Sequence, residues 1–154
     1  MNKSFILYIH NDLSGDPEVV KLGRGMTPYS VVRLRQRFMS KIFEIDHFYF
    51  GDPDDIHQLE THLKFTLKSR AVRNRCQREL FRIPVGDLLQ TIDDYILKHH
   101  LRVAKVQLPE KYSAHNSRTC PLKIPSEKRS YDYLKAKIPH IFTRGKHVPV
   151  ITSI

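Results

Sequence analysis

"VVKLGRGMTPYSVVRLRQRF", residues 19–38, is the stretch on which the fold turns. Val19 to Leu22 form a short β-branched run that stops at Gly23. Thr27-Pro28 then supply an N-cap and a proline at the first helical position, where its missing N–H costs nothing. Val31, Val32, Leu34 and Phe38 give apolar positions to a helix over about 28–40, and Arg33, Arg35 and Arg37 stud it. A strand end thus feeds directly into an arginine-rich helix.

The flanking segments extend this unit. "SFILYIH" (4–10) reads as a strand and "NDLSGDPE" (11–18) as a loop punctuated by Gly15 and Pro17, so the first two strands form an antiparallel hairpin. "IFEIDHFYFG" (42–51) has the aromatic and β-branched content of a third strand. "GDPDD" (51–55) repeats the helix-start chemistry, with Asp52 as cap, Pro53 at the first position and two acids behind it. Ile56, Leu59, Leu63 and Leu67 mark the buried face of a second helix, about 53–69. "ELFRIP" (79–84) reads as a short edge strand closed by Pro84. Leu88, Leu89, Ile92, Tyr95 and Ile96 describe a third helix that ends near Lys98, with His99 and His100 as its cap.

The expected fold class is therefore α+β, a small mixed or antiparallel three-stranded sheet flanked by helices, covering about 1–100. Residues 101–154 read as a basic extension, interrupted by prolines at 109, 121, 125, 139 and 149, with one helix within 126–138.

At 154 residues and 40% apolar, the chain suits one domain with an appendage. No run approaches the ~18 apolar residues of a membrane span. The N-terminus reads as a strand rather than a signal peptide, so no membrane partner and an intracellular location are expected. Cys76 and Cys120 form no CxxC pair, and the nine histidines are scattered: His57 and His62 are five apart, and His115 has no partner at ligand spacing. Neither a disulfide scaffold nor zinc is expected. "GRG" (23–25) lacks the spacing of a phosphate-cradling loop.

The formal net charge is +10 and unevenly spread. Residues 1–97 hold 14 Lys and Arg against 13 Asp and Glu, whereas residues 98–154 hold 12 against 3. A polyanion is the usual partner of such a basic arm, because each neutralised phosphate releases counterions. Seven Lys and Arg also crowd into "KFTLKSRAVRNRCQRELFR" (64–82), opposed only by Glu79. That stretch is either a solvated helix end or a phosphate-tracking surface.

Tyr8 on the first strand, Gly23 at the end of the second, Arg33 on the next helix and Glu60 on the one after fall in a telling order. With "FILYIH", "VKLG", "VVRLRQR", "HQLETHLKFTL" and "RELFRIP", they resemble the GIY-YIG nuclease superfamily over roughly residues 4–97. The likeness is to its short phage- and virus-associated branch, often described as a DNA-binding domain. The resemblance implies phosphodiester hydrolysis with Mg²⁺ held by Glu60, water oriented by Tyr8 and phosphate charge met by Arg33. Lys21 stands where the nuclease pattern has its second tyrosine, and there it is a positive phosphate contact. DNA is the expected partner, with RNA open, gripped by Arg24, Arg35, Arg37, Lys41, Lys64, Lys68, Arg70, Arg73, Arg75 and Arg78.

Plain structural roles compete with these. Tyr8 suits a core position, Glu60 suits a helix-surface pair with Lys64 at i,i+4, and Arg33 suits a solvated charge. The functional readings are thus a GIY-YIG-type DNA endonuclease, a DNA binder of that fold without cleavage, or an interaction protein that docks a partner through its basic tail.

Overall fold

The apolar run "FILYI" at positions 5–9 lacks the polar alternation of a half-exposed strand, and its place in the fold explains why. In a computed structural model that describes residues 4–11, 18–25, 45–72, 79–106 and 145–151, the run lies mid-sheet and is buried on both sides. The elements are β1 (Ile6–Asn11), β2 (Val19–Gly25), β3 (Ile45–Gly51), α1 (Pro53–Thr66), a 3₁₀ turn (Lys68–Arg70), β4 (Leu80–Arg82), α2 (Val85–His99), β5 (Val103–Val106) and β6 (Val150–Ile151). The sheet order is β4-β2-β1-β3-β5-β6. All pairings are antiparallel except β5 with β6, which is parallel.

Leu7, Ile9, Val20, Leu22 and Tyr49 share one face of the sheet and one core with Ile56, Leu59 and Leu63 of α1 and Leu88, Ile92 and Ile96 of α2. On the opposite face Ile6, Tyr8, His10, Phe48, Phe50, Ala104 and Val106 are buried too. Helix α1 starts where the sequence places it: the Asp52 carboxylate accepts from the Asp54 and Asp55 amides at 3.0 and 3.4 Å, ahead of Pro53. Arg102 clamps that start to the strand after α2. Its amide donates to Asp55 Oδ2 at 2.8 Å and its guanidinium reaches Asp52 at 3.1 Å. Gly51 permits this approach, since a Cβ there would fall 2.3 Å from the Arg102 carbonyl oxygen.

The expected three-stranded sheet is too small. β4 takes the edge position read for "ELFRIP", but β5 and β6 come from residues assigned to the basic extension. The reason is Lys105, which gives Val103–Val106 the look of a charged tail. In the fold its ammonium donates to Asp93 Oδ2 on α2 at 2.7 Å and lies 5.8 Å from the centre of the Tyr49 ring. Tyr49 donates to the same Asp93, at 2.8 Å to Oδ1. β6 is held by a bond from the Lys105 amide to the Pro149 carbonyl at 2.8 Å, and Val148 is buried in the common core.

The second expected helix, 53–69, ends as α-helix at Thr66 and continues as the 3₁₀ turn. The third ends at His99, with His100 in the left-handed region at φ 51° as its cap. The expected helices at 28–40 and 126–138 lie outside the described residues, as do Cys76, His115 and Cys120. Among the described residues no helix is long and apolar enough to cross a membrane.

Candidate functional site

Tyr8 and Gly23 are direct cross-strand partners, so both point to the same sheet face. The tyrosine ring lies over the glycine: a Cβ at position 23 would be 2.4 Å from the Tyr8 Oη and 2.5 Å from its Cζ. Burial, with help from the nearby Glu79 and Glu60 carboxylates, pushes the Tyr8 phenol up to about 12. At neutral pH it is therefore a hydrogen-bond donor and not a ready base. His10 flanks it, the two ring centres 4.6 Å apart. Lys21 pairs with His10 across the strands, two residues before Gly23 and on the same face.

Glu60 sits on α1 between Leu59 and Leu63, which turn it inward, and is only 4% exposed. It is therefore a buried residue, contrary to a helix-surface placement. Its expected partner Lys64 is present, Nζ to Oε1 at 2.9 Å. The second oxygen is taken by the guanidinium Nε of Arg24, which reaches across from β2. Lys64 extends the chain by donating to Glu79 Oε1 at 2.9 Å. Burial opposes the Lys64 charge, but the hydrogen bonds to Glu79 and Glu60 outweigh it and raise its pKa. Arg24, Glu60, Lys64 and Glu79 thus form a chain of alternating acids and bases, which gives the buried Glu60 carboxylate a partner on each oxygen.

This arrangement does not fit Mg²⁺ at Glu60. Both carboxylate oxygens already face cations, and a divalent ion would stand beside Arg24 and Lys64. Among the described residues no three His, Cys, Asp or Glu side chains gather at ligand distance.

Of the sequence-derived site, then, Arg24, Glu60 and Lys64 come together on the helix side of the sheet, while Tyr8 and Gly23 pair on the other face, where the Glu60 charge still bears on the phenol. Arg33, Arg35, Arg37, Lys41, Arg73, Arg75 and Arg78 lie outside the described residues. Lys68 and Arg70 are exposed on the 3₁₀ turn, which is tied to the sheet edge by a bond from the Val72 amide to the Leu80 carbonyl at 2.9 Å. Arg82 on β4, the last cation of the 64–82 stretch, is exposed at that same edge. In the sequence Glu79 stands out as the one acid of a basic stretch and as the glutamate of "RELFRIP", but neither feature pairs it with Lys64. Comparison of the chain with protein-family models, with curated proteins and with solved structures found no match.

Proposed function

We propose that the chain is an intracellular nucleic-acid-binding protein of GIY-YIG type that holds duplex DNA without cutting it. The observation that carries this reading is the Glu60 carboxylate engaged by Arg24 and Lys64. The acid that a nuclease of this kind gives to its metal is here spent on two cations. Tyr8, on the other face of the sheet, is protonated well past neutral pH.

Support for binding comes from charge. The chain carries +10, and Lys68, Arg70 and Arg82 are exposed around the β4 edge, where they suit phosphate contacts that position a duplex without reading bases. The test is a pair of assays on the full chain. Retention of a duplex is expected to weaken steeply with salt, while supercoiled plasmid stays intact with Mg²⁺ or Mn²⁺. Nicking by the wild type that Glu60→Gln abolishes would replace this reading with the endonuclease. Absence of retention at low salt would end it altogether.

A further inference from the structure

Away from the Glu60 network, α1 carries a large apolar side chain in solvent: Phe65, 80% exposed. A lone exposed apolar residue needs no function, but this one has unusual neighbours. It follows His62 by three residues, so the two lie on one side of the helix a turn apart. His62 in turn stacks on Tyr95 of α2, ring centres 3.9 Å apart and planes 16° apart, and Tyr95 is 4.3 Å from the ring of His99.

This column of rings is pinned. Gln58 donates to Tyr95 Oη at 3.1 Å, and Thr66 Oγ1 lies 3.4 Å from His62 Nε2. Burial, then His99 and Lys98, lower the pKa of His62, so it is an uncharged planar ring at neutral pH. Beyond Phe65 the 3₁₀ turn presents Lys68 and Arg70 to solvent. Flat rings bordered by cations are the two halves of a site for unpaired bases, with π faces for the base and positive charge for the backbone. Duplex bases are already stacked on each other and cannot use it.

We propose that Phe65, backed by the His62–Tyr95–His99 column, is a stacking platform for an unpaired base of single-stranded nucleic acid, its phosphates meeting Lys68 and Arg70. The proposal rests on the nucleic-acid reading above and adds a second binding mode to it, which shares Lys68 and Arg70 with the duplex surface and differs from it by the base stacked on Phe65.

The chain contains no tryptophan, so Phe65→Trp introduces a sole indole reporter on the platform. Titration with a short oligothymidylate is expected to quench its emission saturably, and a duplex of equal phosphate content is not. Phe65→Ala should weaken oligothymidylate retention roughly tenfold or more, with duplex retention and thermal midpoint unchanged, and Phe65→Tyr should restore it. Unchanged indole emission at saturating oligothymidylate overturns the platform, even if duplex retention persists and the wider reading survives. So does an equal loss of both nucleic acids in Phe65→Ala. Quenching that follows protein concentration alone also overturns it, because the face then buries against a second copy. Failure of the wild type to retain either nucleic acid removes both proposals.

Discussion

The Tyr8 ring occupies the space that any side chain at Gly23 would need: Oη and Cζ stand 2.4 and 2.5 Å from the position of a Cβ there. Glycine is thus required by a neighbour's ring and not by backbone angle. Gly23→Ala forces the ring or strand β2 to move, at about 1–3 kcal/mol. Since the obstruction includes Cζ, Tyr8→Phe should not relieve it, whereas Tyr8→Val should. Denaturant midpoints of the single and double variants check this. Additive effects for Gly23→Ala with Tyr8→Val would show that the two residues do not contest the space.

Glu60→Gln removes the negative charge between Arg24 and Lys64. DNA affinity should rise and its salt dependence steepen by roughly one phosphate contact, because Arg24 is released toward solvent. Stability should fall by about 1–2 kcal/mol. The loss is smaller than the about 3–5 kcal/mol of a fully buried pair, since the Arg24 and Lys64 side chains are 33% and 39% exposed. Filter retention across a salt series and urea unfolding measure the two effects. Weaker DNA retention in Glu60→Gln would mean that the carboxylate takes part in binding.

Alkaline pH should unfold the protein partly through Tyr8. The fold favours its neutral phenol, so the contribution is whole below pH about 10 and is lost as pH rises from there through about 12. Roughly 2–3 kcal/mol is at stake. Burial and Asp93 raise Tyr49 in the same direction, so the decline continues beyond Tyr8. Unfolding measured from pH 9 to 12 should show a shallower decline in Tyr8→Phe than in the wild type. Identical slopes would mean that Tyr8 ionises as an exposed phenol does.

Periodicity made most of the architecture legible because it is local: β1, β2 and β3, the Asp52-Pro53 start of α1, the edge strand and α2 each announce themselves within about ten residues. Glu60 shows the limit. Lys64 at i+4 can be read from the helix, but Arg24 lies on a strand far upstream, and no spacing rule brings it to the same carboxylate. The inward turn of Glu60 was hidden for a related reason, since an acid beside Leu59 and Leu63 reads as surface until its two cations are known. β5 is hidden in the sequence because Lys105 disguises a buried strand, its charge being met by Asp93 from α2. Phe65 is not legible in the sequence, because one apolar residue outside the stripe of Ile56, Leu59 and Leu63 carries no periodic signal.

The same disguise has a consequence for any attempt to remove the basic tail. A chain ending at residue 100 would lose Leu101, Val103, Ala104, Val106 and Val148, all buried, and would strip the outer edge of β3. It would also lose Arg102, which ties β5 to the Asp52 and Asp55 carboxylates at the start of α1. At about 1.5–3 kcal/mol for each large apolar side chain, the deficit exceeds half the usual stability of a small domain. Residues 1–100 alone should therefore show no cooperative thermal transition, and their loss of DNA retention would report unfolding rather than a missing tail contact. Val148→Ala is the gentler probe: it leaves the chain length and every charge intact, and should cost about 1–2 kcal/mol with DNA affinity unchanged. A cooperative melt of residues 1–100 near the full-length midpoint would mean that β5 and β6 are accessories to the sheet and not part of its core.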